Sequence, residues 1–202
     1  MGSNKDIMIS SSRHFKGLEF KTMIAIYFGL ALISGLWTWL SQDDFFYSWN
    51  EFSWPSFWAV FAGAVIVAIY TISSQACAKL FEWARELEKL LQQLLTPLSY
   101  FQIILISLMS GFIEEWFFRG VLFTHFGLVL SSFVFALCHL IPAPKIWLWS
   151  LWTFFAGIGF CLILRISDSL ILCGLIHSAI NAVGIILLNQ KTFRDSSNQA
   201  LS

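Results

Sequence analysis

The sequence predicts an all-α, polytopic transmembrane helix bundle with about six spans and one amphipathic interfacial helix. Three observations carry that prediction. Of 202 residues, 57% are hydrophobic and only 12% are charged, where a soluble domain carries roughly 25% charged residues. Mean hydropathy is +0.73. Apolar runs of about 20 residues, the length that crosses a bilayer, recur along the chain. Twelve basic residues balance twelve acidic ones, so no cationic surplus favours nucleic acid. Composition also excludes disordered, collagen-like and disulfide-scaffold classes.

The elements follow in order. Residues 1–20 read as a polar tail. No secretory leader is expected, because the first apolar run is too long and no small-residue cleavage site follows it. Spans one and two are placed at 22–40 and 56–78. Between 79 and 93, Glu82, Arg85, Glu86, Glu88 and Lys89 alternate with Leu80, Phe81, Leu87, Leu90 and Leu91 at helical spacing. That pattern is an amphipathic helix lying at the membrane surface. Pro97 opens a third apolar run to about Phe126, Gly127 allows a turn, and 128–141 returns as the fourth span. Pro142 and Pro144 break it, and 145–164 and 169–188 form the fifth and sixth spans, with Asp168 a candidate N-cap. The membrane domain is read as one unit, 21–190, followed by a polar tail at 191–202.

Basic residues set orientation. Lys5, Arg13, Lys16 and Lys21 precede the first span, Lys79, Arg85 and Lys89 follow the second, and Lys191 and Arg194 follow the sixth. The first loop has Asp43, Asp44 and Glu51 and no basic residue. Both termini and the amphipathic helix are therefore expected in the cytoplasm, with Arg165 the one residue opposed. Trp37, Trp39, Tyr47, Trp49 and Trp54 suit an interfacial aromatic belt beside that loop. The four cysteines lie in apolar stretches without a CxxC pair and read as small buried hydrophobes.

Several side chains do not belong in a plain anchor. Glu114, Glu115 and Arg119 interrupt the third span, His139 ends the fourth, and His177 and Asn181 occupy the sixth. Charge inside a bilayer costs at least a few kcal/mol, so it normally faces a polar interior and marks function. Depths agree: Glu114 lies twelve residues before Phe126, and His139 lies twelve after Gly127. An antiparallel hairpin brings both to one level, about 18 Å below the turn. Asn181, thirteen residues beyond Asp168, reaches a similar depth.

Glu115 and Arg119 are four apart and share a face, so they are expected to pair. Glu114 points about 100° away, toward a cavity. Beside His139 it can take a proton from water and make a nucleophile. His177 and Asn181, also four apart, form a donor face able to stabilise an oxyanion. The set reads as peptide hydrolysis within the membrane.

Glu-Glu-x-x-x-Arg at Glu114–Arg119, Phe-x-x-x-His at Phe135–His139 and His-x-x-x-Asn at His177–Asn181 resemble the CPBP family of intramembrane glutamic endopeptidases, also called the CaaX protease or Abi family. The resemblance implies that Glu114 and His139 activate water and that His177 and Asn181 form the oxyanion site. It implies no cofactor, no obligatory metal and no covalent intermediate. The partners it implies are the bilayer and a membrane-associated protein or peptide substrate. Eukaryotic CaaX members are longer, so this chain looks more like prokaryotic ones in a cell membrane. Some of those process bacteriocins, confer self-immunity or cleave C-terminal sorting tails.

Three other readings use the same residues. Cys173, His177 and Asn181 stack at successive turns as a thiol site, although apolar surroundings disfavour the thiolate and one helix is poor geometry for a triad. Glu114, His139 and His177 are chemically able to hold zinc, although no HExxH is present. A binding or immunity protein that keeps the fold without catalysis is the third. Gly174, Ser178 and Ala182 form a small-residue stripe expected to pack helices closely.

Overall fold

The computed structural model describes residues 20–41, 55–95, 97–141 and 147–201, with side chains omitted at 195, 196 and 198–201. The N-terminal tail, most of the first loop with Tyr47, Trp49 and Trp54, and the Pro142–Pro144 break lie outside them. Among the described residues, helices α1 (Phe20–Leu40), α2 (Phe57–Leu80) and α3 (Glu82–Leu95) are followed by α4 (Tyr100–Glu115), a π-helical stretch (Trp116–Phe123), α5 (Thr124–Cys138), α6 (Trp147–Ser167) and α7 (Leu170–Leu201).

Five apolar stretches are long enough to cross a membrane, and the third, Tyr100–Cys138, is 39 residues long. It is two spans in one. Gly127 sits at φ 76°, ψ 179°, a region essentially confined to glycine. Phe118 and Phe135 rings lie 4.9 Å apart on either side of it, whereas seventeen residues of straight helix would separate them by about 25 Å. The chain therefore doubles back at Gly127, where the sequence places the turn.

Local chemistry sets the other boundaries. Ser56 caps α2, accepting from Ala59 N at 3.2 Å. Phe81, extended at φ −117°, ψ 134°, separates α2 from α3, so Lys79 ends α2 rather than opening the amphipathic helix. A capping box starts α4: Ser99 Oγ accepts from Gln102 N, and Gln102 Oε1 accepts from Ser99 N. The expected cap Asp168 is displaced by its neighbour. Ser169 Oγ accepts from Leu172 N at 3.2 Å, while Asp168 takes the left-handed φ of 46° that turns the chain from α6 into α7. The last helix runs on to Leu201, through the stretch read as a polar tail.

Apolar side chains cover the outside, as an integral membrane protein requires. On α2, Phe57 and Trp58 are each 74% exposed and Ile72 69%. Packing inside concentrates on α4 and α7. A Cβ on Gly111 would come within 2.6 Å of Ser178 N and 2.8 Å of the Gly174 carbonyl oxygen, and one on Gly174 within 2.7 Å of Phe112. Small residues thus bring the two backbones together, as the Gly174–Ser178 stripe predicts. Docking of α1 beside α4 and α7 uses Met23 against Ile103, Ile106 and Ile185.

Candidate active site

Glu114 and Glu115 end α4, three and four residues beyond Gly111. His177 follows Gly174 by three on α7. The close approach of those glycines lets side chains of the two helices meet in the layer above. His139 enters from the far end of the hairpin, as the C-cap of α5.

Glu115 and Arg119 form a sealed unit. Arg119 Nη1 donates to Glu115 Oε1 at 3.0 Å, and Nη2 donates to the Gly157 carbonyl at 3.2 Å. Its guanidinium lies 4.5 Å from the Phe135 ring centre and 4.9 Å from that of Phe160, within cation–π range. Exposure is 0% for Glu115 and 1% for Arg119. His177 Nδ1 reaches the same Glu115 Oε1 at 2.7 Å, and its ring stacks on Phe160 at 5.2 Å. Glu115 therefore ties the helix turn carrying Arg119 to α7.

Glu114 faces a different space. A cavity of about 360 Å³ is bounded by Glu114, His139, His177 and Asn181, by Tyr27 of α1, and by the apolar face of α3 through Ala84 and Leu87. Glu114 Oε2 lies 3.9 Å from His139 Nε2 and 3.9 Å from His177 Nε2. These separations exceed hydrogen bonds, and among the described residues this buried oxygen has no hydrogen-bond partner. His139 Nδ1 is 2.8 Å from the Phe135 carbonyl oxygen. A carbonyl only accepts, so the ring's proton sits on Nδ1 and Nε2 offers a lone pair toward Glu114. Asn181 Nδ2 donates to Ser110 Oγ at 2.7 Å, and its second N–H remains for another acceptor.

Glu114, His139, His177 and Asn181 thus line one cavity, while Glu115 and Arg119 pair outside its lining; Glu114 and His139 stand slightly closer than the 4–6 Å that a shared water suggests. The geometry does not assemble the thiol alternative: Cys173 Sγ donates to the Phe160 carbonyl at 3.7 Å. Among the described residues no group of three or more His, Cys, Asp or Glu is arranged to hold a metal ion. Sequence reasoning missed two members. Tyr27 Oη donates to Glu114 Oε1 at 3.1 Å, and Ser110 lies beneath Asn181. Ser110 was signalled by its spacing of four from Glu114. Tyr27 had only the signal of being a polar-tipped residue within an apolar span.

Residues 96–183 match the family model described as "Rce1-like: Type II CAAX prenyl endopeptidase Rce1-like". All three motifs lie inside that segment, so the resemblance they carry is borne out over it. The match covers 88 of the 202 residues and shows what that segment is similar to. No curated protein and no solved structure matches the chain.

Proposed function

We propose that this protein is an intramembrane glutamic endopeptidase that cleaves a membrane-associated protein or peptide with water activated by Glu114 and His139. One observation supports it above the rest: a buried, unpartnered carboxylate oxygen stands 3.9 Å from two imidazole nitrogens. A water 2.8 Å from both Glu114 Oε2 and His139 Nε2 subtends about 90° between them. It donates one proton toward each base and turns a lone pair to the scissile carbonyl.

The attack forms a bond from water oxygen to carbonyl carbon, and a water proton moves to Glu114. Negative charge then develops on the carbonyl oxygen, toward the His177–Asn181 face. His177 already gives its Nδ1–H to Glu115, so donation from Nε2 requires the imidazolium. With Glu114 and Glu115 ionised, that imidazolium and Arg119 balance the charge of the layer. Asn181 supplies its second N–H. When the C–N bond breaks, the proton held by Glu114 passes to the departing amine. No covalent enzyme intermediate and no metal enters this scheme.

Substrate reaches the layer along the cavity wall formed by α3. The basic residues Lys79, Arg85 and Lys89 favour a cytoplasmic position for that wall and for both termini.

The test compares membranes from cells making wild-type protein with membranes from cells making Glu114→Gln. New protein termini are mapped by mass spectrometry. Cleavage products present with wild type and lost with the variant are expected, together with accumulation of the uncut precursor. The same products at the same level from Glu114→Gln would overturn the reading.

A further inference from the structure

The two oxygens of Glu114 are not equivalent. Oε2 faces the imidazoles at 3.9 Å, while Oε1 accepts from Tyr27 Oη at 3.1 Å across 87 residues of sequence. A carboxylate torsion is broad and two-fold, so either oxygen could turn toward the site if nothing held it. Tyr27 is the group that holds it. Its neighbour Phe28 points outward, 62% exposed. The ring of Tyr27 packs inward beside the Met23, Ile103, Ile106 and Ile185 cluster that docks α1.

We propose that Tyr27 is a positioning residue for the hydrolysis, fixing the rotation of the Glu114 carboxylate so that Oε2 alone addresses the water. The inference rests on the reading of Glu114 as the base. Preorganisation of this kind acts on the rate, since the bases must be in place before water attacks. Donation from the hydroxyl also compensates part of the cost of keeping a carboxylate in an apolar layer. The first span, which lies outside the matched segment 96–183, thereby becomes part of the active site.

The test uses detergent-purified full-length Tyr27→Phe, which removes the hydroxyl and keeps the ring. The probe is an internally quenched peptide carrying the sequence cut by wild-type protein, and rates are normalised to folded fraction. A fall in kcat of about 10- to 100-fold is expected, the range of one hydrogen bond to a charged group. KM should stay near wild type, and the melting temperature should fall only modestly, as Glu114 Oε1 loses its donor. In the Glu114→Gln background, Tyr27→Phe should cost nothing further, because the oxygen it orients no longer acts as a base.

An unchanged kcat would overturn the proposal. So would a lowered melting temperature with activity per folded molecule preserved, which marks a packing role. A raised KM at constant kcat would overturn it too and move Tyr27 to substrate binding. Failure of the underlying reading looks different: Glu114→Gln itself would cleave the probe at wild-type rate.

Discussion

Glu115 and Glu114 are adjacent in sequence and sit in opposite surroundings. Glu115 is fully enclosed, and its Oε1 accepts from both Arg119 and His177. Glu114 lines a cavity, with one oxygen held by Tyr27 and the other unpartnered between two imidazoles. A helix rotates about 100° per residue, so one step along α4 separates an enclosed ion pair from a face that lines the cavity. The enclosed side has its charge neutralised at close range and gains rigidity. The cavity side keeps Glu114 Oε2 near two imidazoles without a hydrogen-bond partner among the described residues. The contrast teaches that a buried charge in a membrane has two distinct uses. Among the described residues each carboxylate keeps one buried oxygen without a hydrogen-bond partner, so the paired guanidinium on one side and the cavity on the other separate them.

Breaking the enclosed side should have the largest effect on folding. Arg119→Ala removes the guanidinium that pairs with Glu115 and packs against three aromatic rings. Removing one partner of such a buried pair costs about 3–5 kcal/mol. The thermal unfolding midpoint should drop steeply, and activity should fall with the folded population. A thermally normal but inactive Arg119→Ala would instead move Arg119 to the catalytic side.

Asn181→Ala acts on the cavity side. Loss of one oxyanion donor typically lowers kcat by about 10²–10³. KM should change little, because the bond forms mainly in the transition state. Asn181→Asp should be worse than Ala, since a carboxylate repels the oxyanion. Normal kcat with a depressed melting temperature would remove Asn181 from the site and leave its bond to Ser110 as a packing contact.

Gly111→Ala probes what joins the two sides. Its Cβ would meet backbone atoms of Ser178 and Gly174, which no rotamer change relieves. Overpacking of this kind costs about 1–3 kcal/mol. Separating α4 from α7 should also stretch the Glu115–His177 bond, so kcat should fall beyond what lost folding explains. A variant whose rate per folded molecule is unchanged would show that the helix spacing is not needed by the site. The smallest effects belong to Cys173→Ser and to chelators: cleavage rates should stay near wild type in both. Chelator inactivation reversed by zinc would promote a metal mechanism, and inactivation confined to Cys173→Ser a thiol one.

Much of this contrast was legible in the sequence, for definite reasons. Counting residues from Gly127 put Glu114 and His139 at one depth, because a tight turn and a constant helical rise fix the register of a hairpin. The i, i+4 spacing of Glu115 and Arg119 fixed their pairing within one helix. What remained hidden depends on which helices dock together. Tyr27 reaches Glu114 only because α1 packs beside α4, and hydrophobic periodicity does not name a partner. The apolar face of α3 was evident from Leu87 and Leu91, but its role as the cavity wall follows from tertiary placement. Asp168 and Ser169 are both good caps, and the tight connection from α6 chose between them.

The division of labour between the two carboxylates is the central claim, and one paired measurement tests it most directly. Glu114→Gln and Glu115→Gln are purified in parallel, and single-turnover cleavage per folded molecule is read beside thermal unfolding. Glu114→Gln should unfold like wild type and lose cleavage, because an amide cannot accept the proton of the attacking water. Glu115→Gln should unfold at lower temperature, as its ion pair with Arg119 is lost, and keep measurable cleavage in its folded fraction. A Glu114→Gln protein that cleaves at near wild-type rate, or a Glu115→Gln protein that is fully stable and inert, would contradict the account.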